Sequence, residues 1–426
     1  MKFETLALHA GLSREDNPPS RAYPVHRTTS YLFRDAEHAA NLFSLKELGF
    51  IYTRLQNPTQ DVLEQRITAL EGGAGALAVA SGTTAIFYSI INIATNGSEI
   101  VASKYLYGGT FTMFNNILPD YGITVRFVDP YNLAEVEAAI NDKTRAVYTE
   151  TIGNPTLDLP DLGALADLAH KYGLPLIVDS TFTTPSLLRP IEHGADIVVH
   201  SLTKWIGGHG TAIGGIVVDS GKFNWKDNPR FSTLNEPDDS YHGLRYAHDL
   251  GDLAPLAYIL RMRLVPLRNL GGAISPDNAW IFLQGIETLP LRMERHSQNA
   301  AKVAEFLKDH PQVEWVRYPG LAGDKSYKNA TKYLKNGFGG MVVFGIKGGL
   351  EAGKKFINSL ELFSHVANVG DAKSLAIHPS STTHSQLSEE QQKAAGIDPS
   401  LVRLSVGIEN IDDIIDDLKK GFAAAK

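Results

Sequence analysis

The chain has 426 residues, 43% hydrophobic and 20% charged, with 38 Gly, 21 Pro and no Cys. That length suggests two or three domains with cores large enough to need no covalent staples; the missing Cys excludes disulfides, thiolate nucleophiles and Cys-ligated zinc or iron–sulfur centres. The 40 basic and 47 acidic residues leave a formal charge of −7, and without a Lys/Arg block neither nucleic acid nor an anionic membrane surface is expected as a partner.

The opening Met1-Lys2-Phe3-Glu4-Thr5-Leu6 lacks the apolar run of a secretory signal, so a soluble, cytoplasmic protein is expected. Pro18-Pro19, Pro24 and Pro58 interrupt any periodic pattern over residues 1–60, which predicts an irregular N-terminal arm. A helix is predicted from Val62-Leu63 to Leu70, ending at Gly72-Gly73. No charge occurs between Glu71 and Glu99, a stretch long enough to span a bilayer. Its Ser81-Gly82-Thr83-Thr84, Asn92 and Asn96 divide it instead into strand, turn and helix of a buried core.

Apolar runs then recur at Ala76–Ala80, Ile100–Ala102, Val125–Val128, Ala146–Tyr148, Leu176–Val178, Ile197–Val199 and Ile216–Val218, separated by helical segments such as Leu133–Ile140 and Leu162–Tyr172. Buried strands alternating with helices predict a mostly parallel sheet, in an α/β domain spanning 61–265. Within it, residues 221–265 are rich in aromatics and acids (Phe223-Asn224-Trp225, Glu236-Pro237-Asp238-Asp239) and read as a surface excursion. A smaller α+β domain is expected over 266–426. It opens on a helix containing Ala279-Trp280-Ile281-Phe282-Leu283, continues with strands at Val313–Val316, Met341–Phe344 and Val402–Ser405, and closes on a helix with Ile411, Ile414, Ile415 and Leu418 on one face.

Asp179 directly follows the run Leu176-Ile177-Val178, and Lys204 follows Ile197–Val199 within Ser201-Leu202-Thr203-Lys204. Both therefore project from the C-terminal edge of the sheet, where open α/β folds bind ligands. A carboxylate and a primary amine in one crevice are the groups that pyridoxal phosphate uses: a Lys to hold the aldehyde as a Schiff base, and an acid to keep the pyridine nitrogen protonated. Ser201 and Thr203 offer hydroxyls to the phosphate, and Ser81-Gly82-Thr83 offers backbone N–H groups at a helix start. Any one of these elements alone would be an ordinary surface group or turn; their joint placement at strand ends carries the assignment. Gly73-Ala74-Gly75-Ala76-Leu77-Ala78 fits a loose dinucleotide fingerprint, but it follows a helix and opens a strand, the reverse of what that motif needs. His378 and His384 share a loop without a helix or carboxylate cluster that would make a metal site, and none is expected.

Beyond these groups the sequence resembles the pyridoxal-phosphate enzymes of cysteine and methionine metabolism over nearly its whole length. The resemblance implies the aspartate-aminotransferase-like, type I fold and a homotetramer built from dimers. It implies that Lys204 is the Schiff-base lysine and proton shuttle, and that Asp179 partners the pyridine nitrogen with Thr181 beside it. Asn154, in Glu150-Thr151-Ile152-Gly153-Asn154-Pro155, would contact the ring hydroxyl, and Tyr107, in Leu106-Tyr107-Gly108-Gly109-Thr110, would stack on the ring and assist proton transfer. Gly82, Thr83, Ser201 and Thr203 would hold the phosphate, with Tyr52 and Arg54 of Tyr52-Thr53-Arg54-Leu55-Gln56-Asn57-Pro58 reaching that of the adjacent subunit. Arg403, in Leu401-Val402-Arg403-Leu404-Ser405, would clamp the substrate carboxylate, with Asn368 and Thr383 completing the substrate set.

Departures from family patterns point to a branch. Methionine γ-lyases typically have Cys where this chain has Gly109. The phosphate turn reads Ser81-Gly82-Thr83 where many relatives have Met third. The loop Asn368-Val369-Gly370-Asp371-Ala372-Lys373 with Ile377-His378-Pro379-Ser380-Ser381-Thr382-Thr383-His384, and the 221–265 segment, resemble O-acetylhomoserine sulfhydrylases. The activity so implied is conversion of O-acetyl-L-homoserine and sulfide (or another thiol) to L-homocysteine. The alternatives are an O-succinylhomoserine sulfhydrylase or cystathionine γ-synthase, a γ-lyase, and a non-catalytic protein that binds the cofactor.

Overall fold

The seven apolar runs become seven strands of one sheet. In the computed structural model, which describes residues 1–13, 20–382 and 398–425, these are β1 (Gly75–Val79), β2 (Glu99–Ser103), β3 (Thr124–Val128), β4 (Thr144–Glu150), β5 (Leu176–Asp179), β6 (Ile197–Ser201) and β7 (Gly215–Asp219). Their order is β1-β7-β6-β5-β4-β2-β3. Neighbours from β3 to β6 are parallel, and β7 runs antiparallel to both β6 and β1. Apart from the edge strand β3, where Thr124 and Arg126 are exposed, the strands are covered on both faces. Ala76, Val101, Val147, Val178 and Val198 point into one core, and Leu77, Ile100, Ala146, Ile177 and Val199 into another, as the two-residue period requires.

A second sheet contains β8 (Val313–Arg317), β9 (Met341–Ile346), β10 (Ser364–His365), β11 (Leu375–Ile377) and β12 (Leu401–Ser405), ordered β10-β11-β12-β9-β8. The pair β10–β11 is parallel and the others are antiparallel. The closing helix Ile411–Ala424 buries Ile414, Leu418 and Phe422 in the core of this sheet. The helix Pro276–Glu287 packs on the helix Pro58–Glu71 of the first sheet's layer. The core then changes within the helix Leu289–Lys308: Leu289 and Met293 join the large core, whereas Ala300, Val303 and Leu307 join the smaller one.

Two expectations need correction. The N-terminal segment is not uniformly irregular: it contains the helices Phe3–His9 and Ala36–Phe43, the latter capped by Asp35, whose carboxylate accepts the His38 N–H at 2.7 Å. Pro58 begins a helix instead of interrupting one. It occupies the first turn, where its missing N–H costs nothing, behind Asn57, whose side chain accepts the Thr59 N–H at 2.9 Å. Nor does the 221–265 segment stand off from the domain. Trp225, Phe231, Leu234, Tyr241, Tyr246 and Tyr258 are buried in the core shared with Leu77 and Val79. Their polar tips are satisfied there: Tyr258 donates to the Ser89 carbonyl at 2.8 Å, Tyr246 to Asp238 at 3.0 Å and Tyr241 to the Phe43 carbonyl at 2.8 Å.

The uncharged stretch after Glu71 is β1 followed by the helix Gly82–Ile91, and among the described residues no helix is long and apolar enough to cross a membrane. If the 221–265 segment is core, Phe231→Ala lowers stability by about 3–5 kcal/mol, read from the denaturant midpoint. A loss under about 0.5 kcal/mol, typical of surface substitutions, would return the segment to the surface.

Candidate active site

Parallel strands that begin at one edge must all end at the other, and the C-terminal edge of β4, β5 and β6 floors a cavity of about 260 Å³. Asp179 is the last residue of β5, Ser201 the last of β6, and Lys204 lies three residues farther along. The turn after β1 closes one end. Ser81 caps the helix Gly82–Ile91 by accepting the Thr84 N–H at 3.0 Å, and Gly82 lies so close to β6 that a Cβ there would be 2.6 Å from that of Ser201. Only glycine brings this helix N-terminus, with its unsatisfied N–H groups, against the Ser201 hydroxyl. Thr203 also lines the cavity, its hydroxyl accepting the Gly214 N–H at 3.1 Å.

The opposite wall comes from the second sheet and the loop at Asn368. Arg403 on β12 is buried, donating to Asn154 Oδ1 at 2.9 Å and to the Asn368 carbonyl at 3.4 Å, and among the described residues no carboxylate pairs with it. Burial lowers its pKa to about 10. The Lys204 amine donates to Asn368 Oδ1 at 2.5 Å. Burial, with the Arg403 charge second, lowers its pKa to about 8, so the neutral amine is accessible near physiological pH. Asp179 is buried without an ion-pair partner among the described residues. Desolvation raises its pKa, opposed by hydrogen bonds from the Thr181 side chain and N–H, the latter at 2.9 Å. Thr181 also accepts the Ser201 N–H on its hydroxyl at 2.9 Å, tying β5 to β6.

The cavity thus gathers Gly82, Thr83, Tyr107, Asn154, Asp179, Thr181, Ser201, Thr203, Lys204, Asn368 and Arg403. Tyr52 and Arg54 are not among its lining residues. Arg54 donates to the Arg268 carbonyl, and its guanidinium lies 5.3 Å from the Tyr52 ring centroid. Thr383 and His384 lie outside the described residues. The wall also includes Ile86, Ile152, Phe182, Ile213 and Glu150, which the sequence reading did not single out. Only Glu150 carried a signal, as an acid just past the apolar run Ala146–Tyr148; its register with Asp179 comes from the strand pairing.

These groups fit pyridoxal phosphate. A buried acid with no cation suits a protonated ring nitrogen, a buried amine with a lowered pKa suits an aldehyde, and two hydroxyls beside a helix N-terminus suit a phosphate.

Comparisons with known proteins agree. The chain matches the Cys/Met metabolism PLP-dependent enzyme family over residues 4–423. It is 57% identical to an O-acetyl-L-homoserine sulfhydrylase of Leptospira meyeri, covering 99% of this chain and 96% of the relative. It is 51% identical to a homocysteine synthase of Schizosaccharomyces pombe, covering 99% and 98%. A crystal structure from Campylobacter jejuni subsp. jejuni, described as that of a candidate O-acetylhomoserine (thiol)-lyase containing a pyridoxyl-lysine monophosphate, superposes with a TM-score of 0.95 at 43% identity, covering 99% of this chain and 100% of that one. The fold is the type I, aspartate-aminotransferase-like fold expected from the sequence, and the cofactor is pyridoxal phosphate.

A lowered Lys204 pKa has a kinetic consequence, since only the neutral amine bonds to an aldehyde. Cofactor uptake by the cofactor-free protein, followed by absorbance, accelerates about tenfold per pH unit below pH 8 and levels off above it. A rate still climbing toward the ordinary lysine value of about 10.4 would refute the shift.

Proposed function

Because the chain belongs to the family of Cys/Met metabolism PLP-dependent enzymes, we propose that it replaces the acetate of O-acetyl-L-homoserine with sulfide, giving L-homocysteine and acetate. One observation carries the chemistry: a neutralisable amine, Lys204, and an unpaired guanidinium, Arg403, meet over a buried acid, Asp179, in one cavity. The choice of acyl group and nucleophile is supported by full-length similarity to sulfhydrylases.

Lys204 would hold the aldehyde carbon of the cofactor, Asp179 its ring nitrogen with Thr181 behind, Asn154 its ring hydroxyl, and Tyr107 the ring face. Gly82, Thr83, Ser201 and Thr203 would hold the phosphate, joined by Tyr52 and Arg54 of an adjacent subunit. When bound, pyridoxal phosphate supplies an electron sink for bonds broken at the substrate Cα. Arg403 takes the substrate carboxylate in a two-pronged, charge-assisted contact, with Asn368 beside it. The substrate amine would displace Lys204 from the aldehyde carbon, and the freed amine, within reach of Cα, would carry the Cα proton to the cofactor before taking a proton from Cβ. Loss of acetate from Cγ and addition of sulfide to the same carbon complete the exchange, and the amine returns the two protons. The enzyme works as a cytoplasmic homotetramer, in which each arm completes a neighbour's phosphate site.

Homocysteine formation from sulfide is expected with the O-acetyl ester and little with the O-succinyl ester. Preference for the succinyl ester, or keto-acid release without sulfide, would replace this reading with one of its rivals. Lys204→Ala should lower turnover roughly a hundred- to ten-thousandfold; full turnover in that variant would refute the mechanism. Arg403→Ala should raise KM for the amino-acid substrate roughly 30-fold or more, the scale of truncating a buried charge contact, and an unchanged KM would remove Arg403 from the substrate site.

A further inference from the structure

Glu150 is the ionisable residue of the cavity wall for which the reaction above has no task. It ends β4, and the parallel register places it beside Asp179 on β5, so both carboxyl groups leave the same face of the sheet at the same edge. Both are buried, and among the described residues neither pairs with a lysine or arginine. Two neighbouring carboxyl groups in so dry a site do not both ionise. Asp179 is the better anion: it receives two hydrogen bonds from Thr181, and no carboxylate charge opposes its ionisation as the Asp179 charge opposes that of Glu150. Burial first, and the Asp179 charge second, push the Glu150 pKa well up, against the hydrogen bonds it accepts from the Tyr107 and Asn154 N–H groups.

Glu150 is nonetheless engaged. Its Oε1 accepts the Tyr107 N–H at 2.7 Å, and the Asn154 N–H also interacts with the carboxyl group. Tyr107 forms the aromatic wall, and Asn154 receives the Arg403 guanidinium. One side chain therefore ties together the backbones of two loops that carry cofactor and substrate contacts.

We propose that Glu150 is a positioning residue: a neutral carboxyl group that fixes the Tyr107 and Asn154 backbones, and through them the aromatic wall and the Arg403 clamp, while Asp179 remains the ionised carboxyl group of the pair. This rests on the assignment of the cavity to pyridoxal phosphate and an amino-acid substrate. It does not depend on which γ-substituent leaves.

The test compares holoenzymes carrying Glu150→Gln, which keeps an uncharged acceptor, and Glu150→Leu, which keeps volume alone. Affinity is measured with L-norleucine, a non-reacting amino acid, by titrating the cofactor's absorbance. Turnover is measured on whichever ester the wild type accepts. E150Q should stay within about threefold of wild type in both. E150L should lose about tenfold or more in L-norleucine affinity and in kcat while retaining bound cofactor. Wild-type protein that binds L-norleucine but turns over no ester would end the sulfhydrylase reading and leave this comparison intact. Infrared difference spectra of wild type against E150Q, with and without cofactor, should show the C=O stretch of a protonated carboxyl group at neutral pH, which holds even if E150L fails to fold. E150Q as impaired as E150L, an unimpaired E150L, or ionised-carboxylate bands would each overturn the proposal.

Discussion

Three ionisable side chains, Asp179, Lys204 and Arg403, are withdrawn from water around one cavity with no ion pair among them, and the surrounding architecture serves to keep them there. Burying an unpaired charge is costly, and the cost is visible in their pKa values. Asp179 is pushed up, Lys204 down to about 8 and Arg403 down to about 10. Neutral amide and hydroxyl partners from Asn154, Asn368 and Thr181 orient these groups without neutralising them. A ligand that brings an aldehyde, a protonated ring nitrogen and a carboxylate supplies what each one lacks. The protein tolerates that strain because two extensive apolar cores on the faces of the first sheet hold the strand ends in place.

The arrangement also requires the two sheets to contribute to one wall. Lys204 follows β6 of the first sheet, yet its amine meets Asn368 in the loop between β10 and β11. The backbone just past Lys204 is gripped by buried Arg292, which donates to the Trp205 carbonyl at 2.6 Å, the Ile206 carbonyl at 3.2 Å and the Gly285 carbonyl at 2.6 Å. Gly208, at φ +73°, accommodates that guanidinium, for a Cβ there would overlap it. The Ala372 N–H donates to the Gly208 carbonyl at 2.8 Å, tying the Asn368 loop to the Lys204 loop. A displacement of the Asn368 loop would therefore be felt at the amine itself.

Much of this was legible residue by residue. The seven strands of the first sheet announce themselves because β-branched runs such as Leu176-Ile177-Val178 are apolar on both faces. Asp179 and Lys204 stand out because they follow such runs. The strands β10 and β11, of two and three residues, are too short to leave a period. The aromatics of 221–265 looked external because acids surround them and no repeat marks an inward face, yet their rings fill the core and their hydroxyls find carbonyl and carboxylate partners. Tyr52 and Arg54 could be matched to a family pattern, but within one chain Arg54 turns to the Arg268 carbonyl.

By itself, the sequence determined the fold class and the cofactor, and it pointed to an amine–acid pair at the C-terminal edge of the sheet. Each of these follows from local pattern: where an apolar run stops, and which residue stands there. Only the tertiary structure decided that Glu150 stands in register with Asp179, that Arg403 reaches Asn154 from a strand 249 positions away, and that Thr181 bridges β5 to β6. Those relations depend on which strands pair and where the two sheets meet, and chain-distant contacts of that kind leave no local periodicity to read.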